Sequence, residues 1–344
     1  MIALVKTQKG EGFVELKEMP EPTPGPGQVL IEVKAAGICG TDIHVKHDSF
    51  PYWPPVILGH EFSGQIVGLG PDCKYYKVGE RVVGEPHNKH CGVCYLCRTG
   101  NVQICPEKRS IGWGIDGCMT KYLVMPEQLL HRIPDSMDYD TAAVIEPTAN
   151  VVHDVIERAR VMPGDFVVVI GPGPIGLLAG LAAKAAGARH VVMAGAPPDE
   201  GLRLDKAREL GFDTVLNVAK ENLVDTVMSL TNGIGADLVV DCSGAPAAIA
   251  GTVDLLRKKG TICAVGLTGG RTVNFPWEKA SFKALDIVFG MSTSYTSWNR
   301  AIALVATGLM PVDKVISHRL PLTEWEHAFA ELEAQRALKV VLHP

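Results

Sequence analysis

The chain has 344 residues, of which 47% are hydrophobic and 21% are charged, and its formal net charge is -5. This composition is typical of a globular protein, and the length favours two domains over one. An acidic balance gives no long-range attraction to nucleic acid or to an anionic membrane, since both require a positive protein face. We therefore expect no nucleic-acid partner and no membrane partner, and small-molecule chemistry is the better hypothesis.

The first residues, MIALVKTQKG, lack the basic, apolar and small-residue segments of a secretory signal. The chain also lacks an apolar run of about 18 residues, which a membrane-spanning helix would need. These features predict a cytoplasmic protein. The cysteines number nine, and in that compartment they favour metal ligands or buried thiols over disulfides.

From its start to about residue 150, the chain consists of short β-rich runs broken by Gly and Pro. Examples are VLIEVKAAG, GQIVGLG, RVVGEP and KYLVMP. This pattern predicts a compact, barrel-like β domain with few helices.

The pattern changes at FVVVIG, residues 166–171, which is the continuous apolar run expected of a parallel strand buried on both faces. An Ala/Leu-rich helical stretch, LLAGLAAKAAGA, and a second strand, HVVMAG, follow and complete a βαβ unit. Further strand candidates are TVLNV, DLVVDCSG, TICAVGL and DIVFGM, and they alternate with the helical stretches ENLVDTVMSL and APAAIAGTVDLLRKKG. The region 151–291 is therefore predicted to be a doubly wound parallel sheet.

The last segment, 292–344, has two helical stretches, WNRAIALVATG and WEHAFAELEAQ, and a closing strand, LKVVLHP. We expect this segment to return to the first domain.

Four cysteines lie close together with the spacing Cys-x2-Cys-x2-Cys-x7-Cys; they are Cys91, Cys94, Cys97 and Cys105. Four thiolates form a closed tetrahedral shell, which predicts a structural zinc with no open position for substrate. Unrelated thiols in a polar loop, an iron–sulfur cluster and a nucleic-acid-binding zinc ribbon are the alternatives. The ribbon is disfavoured because few basic residues lie nearby.

A second set of possible ligands comes from GICGTDIH, which contains Cys39, and LGHEFSG, which contains His60 and Glu61. A thiolate, an imidazole and a carboxylate suit a zinc that keeps an exchangeable position. Taken alone, a single Cys and a single His are more often core residues than metal ligands.

A dinucleotide site is predicted where GPGPIG follows a strand and opens a helix; its members are Gly171, Gly173, Pro174, Ile175 and Gly176. The glycines let the backbone approach a pyrophosphate, and the helix N-terminus offers free N–H groups to the phosphates. Val265, in the predicted strand TICAVGL, is a further candidate for cofactor contact.

The choice of cofactor depends on the end of the second strand, where an acid usually binds the ribose hydroxyls of NAD. Gly195 occupies that position. Asp199 or Glu200 in the following loop would favour NAD, whereas Arg203 would favour NADP or is an ordinary exposed helix residue. The sequence leans slightly towards NAD.

Taken in order, GICGTDIH, GHEFSG, the four cysteines and IGPGPIG resemble the medium-chain zinc-dependent alcohol and polyol dehydrogenases, in the branch of sorbitol and L-threonine dehydrogenases. The resemblance covers nearly the whole chain. It implies an α/β architecture in which a GroES-like β-barrel catalytic domain, residues 1–150 with 292–344 returning to it, accompanies a Rossmann domain of residues 151–291. The substrate cleft would lie between the two domains.

The resemblance also implies that Cys39, His60 and Glu61 hold a catalytic zinc that acts as a Lewis acid on the substrate hydroxyl. Glu146, in AAVIEPTAN, would complete this sphere directly or through water. The alcohol dehydrogenase branch has a cysteine at that place, so Glu146 indicates the polyol branch.

Proton transfer is assigned by the same resemblance. Thr41 would receive the alcohol proton and pass it through the cofactor ribose to His44. Asp42 would accept the spare N–H of His60 and fix its tautomer. Alternatively, these three residues only stabilise a turn or face solvent.

The predicted activity is hydride transfer between a secondary alcohol of a polyol or sugar-like substrate and NAD or NADP, with two zinc ions per chain. Oxidation of L-threonine is the enzymatic alternative, and a non-enzymatic, zinc-stabilised dinucleotide sensor is the alternative of another class. The resemblance suggests a homodimer or homotetramer.

Four further residues keep two interpretations each. His87 resembles a histidine of threonine dehydrogenases, with one residue inserted, and is interpreted here as a surface histidine. Trp113, Tyr295 and Trp298 are candidates for the pocket wall or for the core.

Overall fold

The computed structural model describes all 344 residues. The strands are β1 (Ile2–Lys6), β2 (Val14–Glu18), β3 (Gln28–Gly37), β4 (Val56–Ile57), β5 (Glu61–Leu69), β6 (Arg81–Gly84), β7 (Tyr122–Pro126), β8 (Leu130–Arg132), β9 (Phe166–Ile170), β10 (His190–Gly195), β11 (Thr214–Asn217), β12 (Ala236–Asp241), β13 (Leu256–Ala264), β14 (Asp286–Phe289), β15 (Ile316–Pro321) and β16 (Lys339–His343). The α-helices are α1 (Gly40–Lys46), α2 (Tyr95–Arg98), α3 (Tyr139–Ala143), α4 (Ile145–Val151), α5 (Pro174–Ala185), α6 (Leu202–Glu209), α7 (Leu223–Leu230), α8 (Pro246–Leu255), α9 (Trp277–Phe282), α10 (Tyr295–Ala306) and α11 (Trp325–Glu333). None of the helices has both the length and the apolar composition that a membrane crossing requires.

The chain forms two compact units, and it passes between them more than once. The first unit contains Met1–Pro147, Thr293–Ala306 and Ile316–Pro344. The second unit contains Thr148–Ser292 and Thr307–Val315. The segment 307–315 therefore lies apart from the rest of 292–344, because its side chains Met310, Val312 and Val315 are buried in the second unit, next to α5.

The first unit is built on a seven-stranded sheet in which β15, β16, β3, β5, β6 and β8 are neighbours in that order and β7 pairs with β3. A separate three-stranded sheet has the order β2, β1, β4. Along β3 buried and partly exposed residues alternate, as expected of a strand with one face on the core. Antiparallel pairing of β3 with β5 places Gly37 opposite Glu61, which brings together the segments that carry the predicted ligands.

The second unit is built on a six-stranded parallel sheet with the order β11, β10, β9, β12, β13, β14. This is the strand order of a doubly wound dinucleotide-binding fold, so the predicted α/β architecture is confirmed. All five residues of β9, FVVVI, are buried, which explains why the run is continuously apolar. Since the strands are parallel, their carboxyl ends all lie at one edge of the sheet.

One helix boundary differs from the expectation. The helix predicted over residues 245–260 ends at Leu255, and the chain enters β13 at the next residue. Leu256 is buried and pairs with Ala236 of β12, so pairing with the sheet outweighs the helical propensity of LRKKG.

Candidate metal centres and dinucleotide site

Three predicted ligands, Cys39, His60 and Glu61, form one group, here called the Cys39 cluster. Their ligand atoms all lie within 4.8 Å of one another. Cys39 precedes α1, and His60 and Glu61 stand at the start of β5. The pairing of β3 with β5 therefore positions all three side chains.

Asp42 links the backbone at Cys39 to the backbone just before His60. It is buried in α1 and accepts hydrogen bonds from the N–H groups of Cys39, at 2.9 Å, and Gly59, at 3.2 Å. Its distance of 3.9 Å from Nδ1 of His60 is too long for the hydrogen bond suggested by the sequence. The carboxylate thus orients the ligands through their backbone, and burial raises its pKa.

The electrostatics of His60 show that the cluster attracts positive charge. Burial lowers the pKa of His60, but the negative groups of Cys39, Asp42 and Glu146 outweigh it and raise the pKa to about 10. Nδ1 of His60 is buried without a hydrogen-bond partner. A thiolate, an imidazole and a carboxylate in this setting are the donor set that zinc prefers, so the residues fit the metal.

A buried ion pair supports the cluster from the last strand. Nζ of Lys339 donates to Oε1 of Glu61 at 2.6 Å and to the carbonyl of Ile38 at 2.9 Å. Burial lowers the pKa of Lys339, but the charges of Glu61 and Cys39 raise it more, so the ammonium stays charged. The sequence reasoning missed this residue, although a lysine inside the apolar strand LKVVLHP was the signal for it.

Glu146 lies near the cluster but outside the group of three. It is 8% exposed in α4, and its charge raises the pKa values of both His60 and Lys339. The group of ligand atoms within 4.8 Å of one another at this place contains Cys39, His60 and Glu61, and it does not include Glu146.

The two predicted relay residues lie on α1. Oγ1 of Thr41 is 3.8 Å from Sγ of Cys39. His44 is exposed, and its Nδ1 is 3.2 Å from Oγ of Ser49. A spacing of three residues puts Thr41 and His44 on one face of the helix.

His87 is not a surface residue, and that expectation was wrong. It is 1% exposed, and its Nε2 lies 3.0 Å from Oγ1 of Thr293. The reason is that the chain runs on from β6 into the interior of the first unit. Burial, together with the charge of Lys108, lowers the pKa of His87 to about 3, so the imidazole is neutral.

The three candidate aromatic residues differ in their surroundings. Trp113 contacts His60 edge-on, with ring centroids 4.8 Å apart, and therefore lies at the Cys39 cluster. Trp298 is a core residue whose Nε1 donates to Oγ1 of Thr293. Tyr295 is 61% exposed.

The four predicted structural ligands, Cys91, Cys94, Cys97 and Cys105, form a second group, here called the four-cysteine loop. The S···S distances are 3.9 Å between Cys91 and Cys97, 3.9 Å between Cys94 and Cys105, and 3.7 Å between Cys105 and Cys91. These are too long for disulfides. A tetrahedron with Zn–S bonds of about 2.3 Å has edges of about 3.8 Å, so the thiols already have the spacing of a zinc shell.

The dinucleotide motif lies at the carboxyl edge of the parallel sheet. Gly171 follows β9, Gly173 precedes α5, and Pro174, Ile175 and Gly176 form its first turn. The helix N-terminus thus directs free N–H groups towards this edge. Val265 follows β13 at the same edge, and its N–H donates to the carbonyl of Asp241 at 2.9 Å.

A cavity of about 410 Å³ opens beside this motif, and we call it the nucleotide cavity. Its lining includes Gly171, Gly195, Asp199 and Ser243, from the ends of β9, β10 and β12 and the loops that follow them. Most of the other lining residues are aliphatic, which suits the flat face of a base.

Gly195 leaves room for Asp199 at the end of β10. A Cβ on Gly195 would lie 3.1 Å from Cβ of Asp199 and 2.8 Å from Cδ2 of Leu204. Oδ2 of Asp199 accepts from the N–H of Ala196 at 2.8 Å, and Oδ1 accepts from Nη1 of Arg203 at 2.9 Å. Asp199 therefore lies next to Gly195, the position at which NAD-binding folds usually have an acid. Arg203 is paired with this carboxylate.

Glu200 is directed elsewhere. It accepts from Nδ2 of Asn217 at 2.7 Å and pairs with Lys220 at 3.2 Å.

Two family models match the chain. The alcohol dehydrogenase GroES-like domain matches residues 25–135, and the zinc-binding dehydrogenase domain matches residues 174–307.

Curated relatives align over almost the full length. A sorbitol dehydrogenase of Halalkalibacterium halodurans is 40% identical, covering 100% of this chain and 99% of the relative. An L-threonine 3-dehydrogenase of Escherichia fergusonii is 34% identical, covering 99% of each.

Solved structures are similar along the same length. A zinc-binding dehydrogenase of Sinorhizobium meliloti bound to NADP has a TM-score of 0.92 at 30% identity, covering 100% of this chain and 99% of that one. An alcohol dehydrogenase of Escherichia coli complexed with NADH has a TM-score of 0.90 at 28% identity, with the same coverage.

Proposed function

The chain belongs to the zinc-binding dehydrogenases of the alcohol dehydrogenase family, and on this basis we propose that it oxidises a secondary alcohol of a polyol or sugar-like substrate with NAD. Membership of the family makes it an oxidoreductase that interconverts alcohol and ketone by hydride transfer to a nicotinamide dinucleotide. The observation that carries the assignment is the Cys39 cluster, whose three different donor groups lie within 4.8 Å of one another. A non-enzymatic sensor would have no use for such a cluster.

In this proposal Cys39, His60 and Glu61 hold the catalytic zinc, and Glu146 acts on it through water, since it stands outside the group of three. Zinc bound there supplies Lewis acidity that polarises the substrate hydroxyl. Asp42 keeps the two ligand-bearing segments in register, and Lys339 fixes the carboxylate of Glu61. Trp113 packs against His60 and limits the movement of its ring.

The proton of the substrate hydroxyl leaves by way of Thr41, whose hydroxyl is next to Cys39. We propose that His44 receives it next, and a bound cofactor would supply the ribose hydroxyls that connect the two side chains. The exposed imidazole of His44 can release the proton to solvent.

The four-cysteine loop is proposed to hold the second zinc. Its four thiolates leave no position for substrate, so this metal would stabilise the loop without taking part in the reaction.

The experiment that tests the function is a substrate screen. Purified, zinc-loaded protein is mixed with NAD or NADP and with polyols, sugar acids or L-threonine, and formation of reduced nicotinamide is followed by absorbance. We expect turnover with a polyol or sugar-like alcohol. Absence of turnover with every alcohol, in protein shown to contain two zinc ions per chain, would contradict the proposal.

L-Threonine oxidation is the second candidate, and the burial of His87 favours it. The placement of His87 resembles that of a histidine in threonine dehydrogenases, and a relative of that name covers the chain. The screen separates the two candidates, because turnover with L-threonine and none with polyols would replace the first.

For the cofactor, we propose NAD because Asp199 carries a carboxylate at the nucleotide cavity, next to Gly195. Carboxylate oxygens accept from ribose hydroxyls and repel a 2'-phosphate. Arg203, the residue that could bind such a phosphate, is held by Asp199 at 2.9 Å.

The change Asp199→Ser tests this assignment. It should weaken NADH binding and strengthen NADPH binding by about tenfold or more, since it removes a repelling charge and frees the guanidinium of Arg203. Fluorescence titration of both reduced cofactors measures the shift. The double change Asp199→Ser with Arg203→Ala is the control, in which the gain for NADPH should disappear. If wild-type protein binds NADPH more tightly than NADH, the assignment is wrong.

For the assembly, we propose that a second copy pairs with β14. This strand is at the end of the parallel sheet, and its side chains Ile287 and Phe289 are exposed, as is the nearby Phe282. An exposed edge strand has unpaired backbone N–H and C=O groups, and here it also exposes apolar side chains. Pairing of two such strands around a two-fold axis satisfies the backbone groups and buries the side chains.

A further inference from the structure

A buried acid lies beneath the edge of the parallel sheet and has no role in the proposed chemistry. Asp154 belongs to a π-helical segment, Val152–Arg158, in the second unit, and it is buried. Its Oδ1 has no hydrogen-bond partner. An unpaired carboxylate oxygen in the interior is costly, and π-helical turns often mark functional sites, so this group calls for an explanation.

The carboxyl group of Asp154 is directed at the end of β14. A Cβ on Gly290 would lie 2.7 Å from Oδ1 of Asp154 and closer still to Oδ2, so the acid occupies the space of a side chain at residue 290. The N–H of Gly290 donates to the carbonyl of Ala264, the last residue of β13, at 2.8 Å. Asp154 therefore lies against the carboxyl ends of the last two strands of the sheet.

The carboxyl ends of β13 and β14 are the place where we expect the nicotinamide half of the cofactor. The nucleotide cavity is at the ends of β9, β10 and β12. A dinucleotide lies across the carboxyl edge of such a sheet, with its two halves on either side of the central strands. The half that the nucleotide cavity does not hold therefore extends towards β13 and β14.

Resting on the proposed function, we propose that Asp154 makes the protein discriminate between oxidised and reduced cofactor, binding NAD⁺ more tightly when its carboxyl group is ionised. The oxidised nicotinamide ring carries a positive charge and the reduced ring is neutral. A carboxylate in a poorly solvated interior attracts the charged ring and has little effect on the neutral one.

The protonation state of Asp154 can change near neutral pH. Burial raises its pKa to about 7, although the charge of Arg158 and the N–H of Met291 lower it. Two thiols also lie near it, Cys263 of β13 and Cys242 after β12, and burial raises the pKa of each, so they stay neutral. His153 and Glu157, on the same π-helical segment, pair with each other at 2.8 Å. Binding of NAD⁺ therefore favours loss of the proton from Asp154, and affinity for NAD⁺ increases as the pH rises through about 7.

The test compares the two redox forms in zinc-loaded protein by calorimetric titration between about pH 6 and about pH 8. We expect the affinity for NAD⁺ to rise by about fivefold over this range, which is part of the roughly tenfold effect that a shift of one pKa unit gives over the whole titration. Affinity for NADH should change by less than about twofold.

Two variants assign the effect. In Asp154→Asn, which keeps the shape and removes the charge, the rise for NAD⁺ should be lost. Asp237→Asn is the matched control, since Asp237 lies at the amino end of β12, where it accepts from the N–H of Phe166 at 2.7 Å. The control should retain the rise.

A measurement on the wild-type chain covers the case in which Asp154→Asn fails to fold. Difference infrared spectra at slightly acidic pH should show that the band of a protonated, buried carboxyl disappears on addition of NAD⁺ and persists with NADH. If both redox forms bind with the same pH dependence, or the band is unchanged, the inference is wrong while the proposed function stands. If neither form binds at any pH, the proposed function fails and the inference with it.

Discussion

At the scale of single residues, the Cys39 cluster gathers negative charge in the interior and relies on cations to balance it. Lys339 supplies one positive charge. The raised pKa of His60 shows that the surrounding negative groups stabilise a second positive charge at this place. Two substitutions separate these contributions.

The change Cys39→Ser should lower turnover by at least about a hundredfold, because loss of a partner outside the ligand shell already costs up to that factor. Zinc content should fall by about one ion per chain, and the fold should persist. Rates and metal analysis are the measurements. Cys73→Ser is the control, since that thiol only donates to the carbonyl of Gln28 at 3.1 Å. A Cys39→Ser variant with wild-type turnover would rule out the catalytic role of the cluster.

The change Lys339→Met leaves Glu61 buried without its counter-charge. We expect the free energy of unfolding of the metal-free protein to fall by about 3–5 kcal/mol, the cost of breaking a buried pair. The loss should be smaller with zinc bound, since the cation then balances Glu61. Urea unfolding with and without zinc measures both values.

Lys220→Met is the control for this change. Lys220 forms an exposed pair with Glu200, so removing its charge should leave the free energy of unfolding almost unchanged. Equal losses in the two variants would show that the pair of Lys339 and Glu61 contributes no more than a surface pair.

At the scale of elements, the four-cysteine loop shows a segment with almost no core of its own. Its helix α2 has only four residues and none of them is buried. A helix this short is unstable alone in water, so we propose that a bound metal stabilises the loop in place of a core.

The change Cys97→Ser should therefore release the loop. We expect amide hydrogen exchange in residues 91–105 to become faster and zinc content to fall by about one ion per chain, because three thiolates hold the metal less well than four. Val93→Ser is the control, as Val93 is an exposed neighbour in the same loop. Unchanged exchange in Cys97→Ser would contradict a metal-supported loop.

Two elements of the second unit differ in how well their sequence predicts them. The run FVVVI predicted β9 because a strand buried on both faces must be apolar throughout. The boundary between α8 and β13 was missed because LRKKG has no apolar period, and its strand conformation comes from pairing with β12. A local sequence pattern predicts an element correctly when the residues of that element themselves determine its conformation.

The candidate site divides in the same way. The four cysteines and the glycine motif could be predicted from spacing and residue type, whereas the grouping of Cys39, His60 and Glu61 was predicted from the resemblance to a family. The buried positions of His87, Asp154 and Lys339 could not, since burial depends on parts of the chain that are distant in sequence. A polar residue inside an apolar segment was the available signal for Lys339 and Asp154.

At the scale of the whole molecule, the exposed edge of β14 predicts association of two copies. Phe289→Lys should shift the protein towards monomer, because it places a charge on an edge strand where Phe289 is 68% exposed. Light scattering coupled to size-exclusion chromatography measures the mass. Tyr95→Lys, at an exposed aromatic residue of the four-cysteine loop, is the control. A wild-type chain that is monomeric at all concentrations would refute the proposed pairing.

The return of the chain to its first unit has a consequence for biosynthesis. Glu61 and Lys339 are separated by 278 positions. At about 5–20 residues per second, a ribosome takes roughly 15 to 55 s to deliver the lysine after the glutamate. The second unit must be synthesised before Lys339 is available to neutralise Glu61 in the first unit. A message truncated near its 3' end therefore yields a product that retains Cys39, His60 and Glu61 and lacks Lys339.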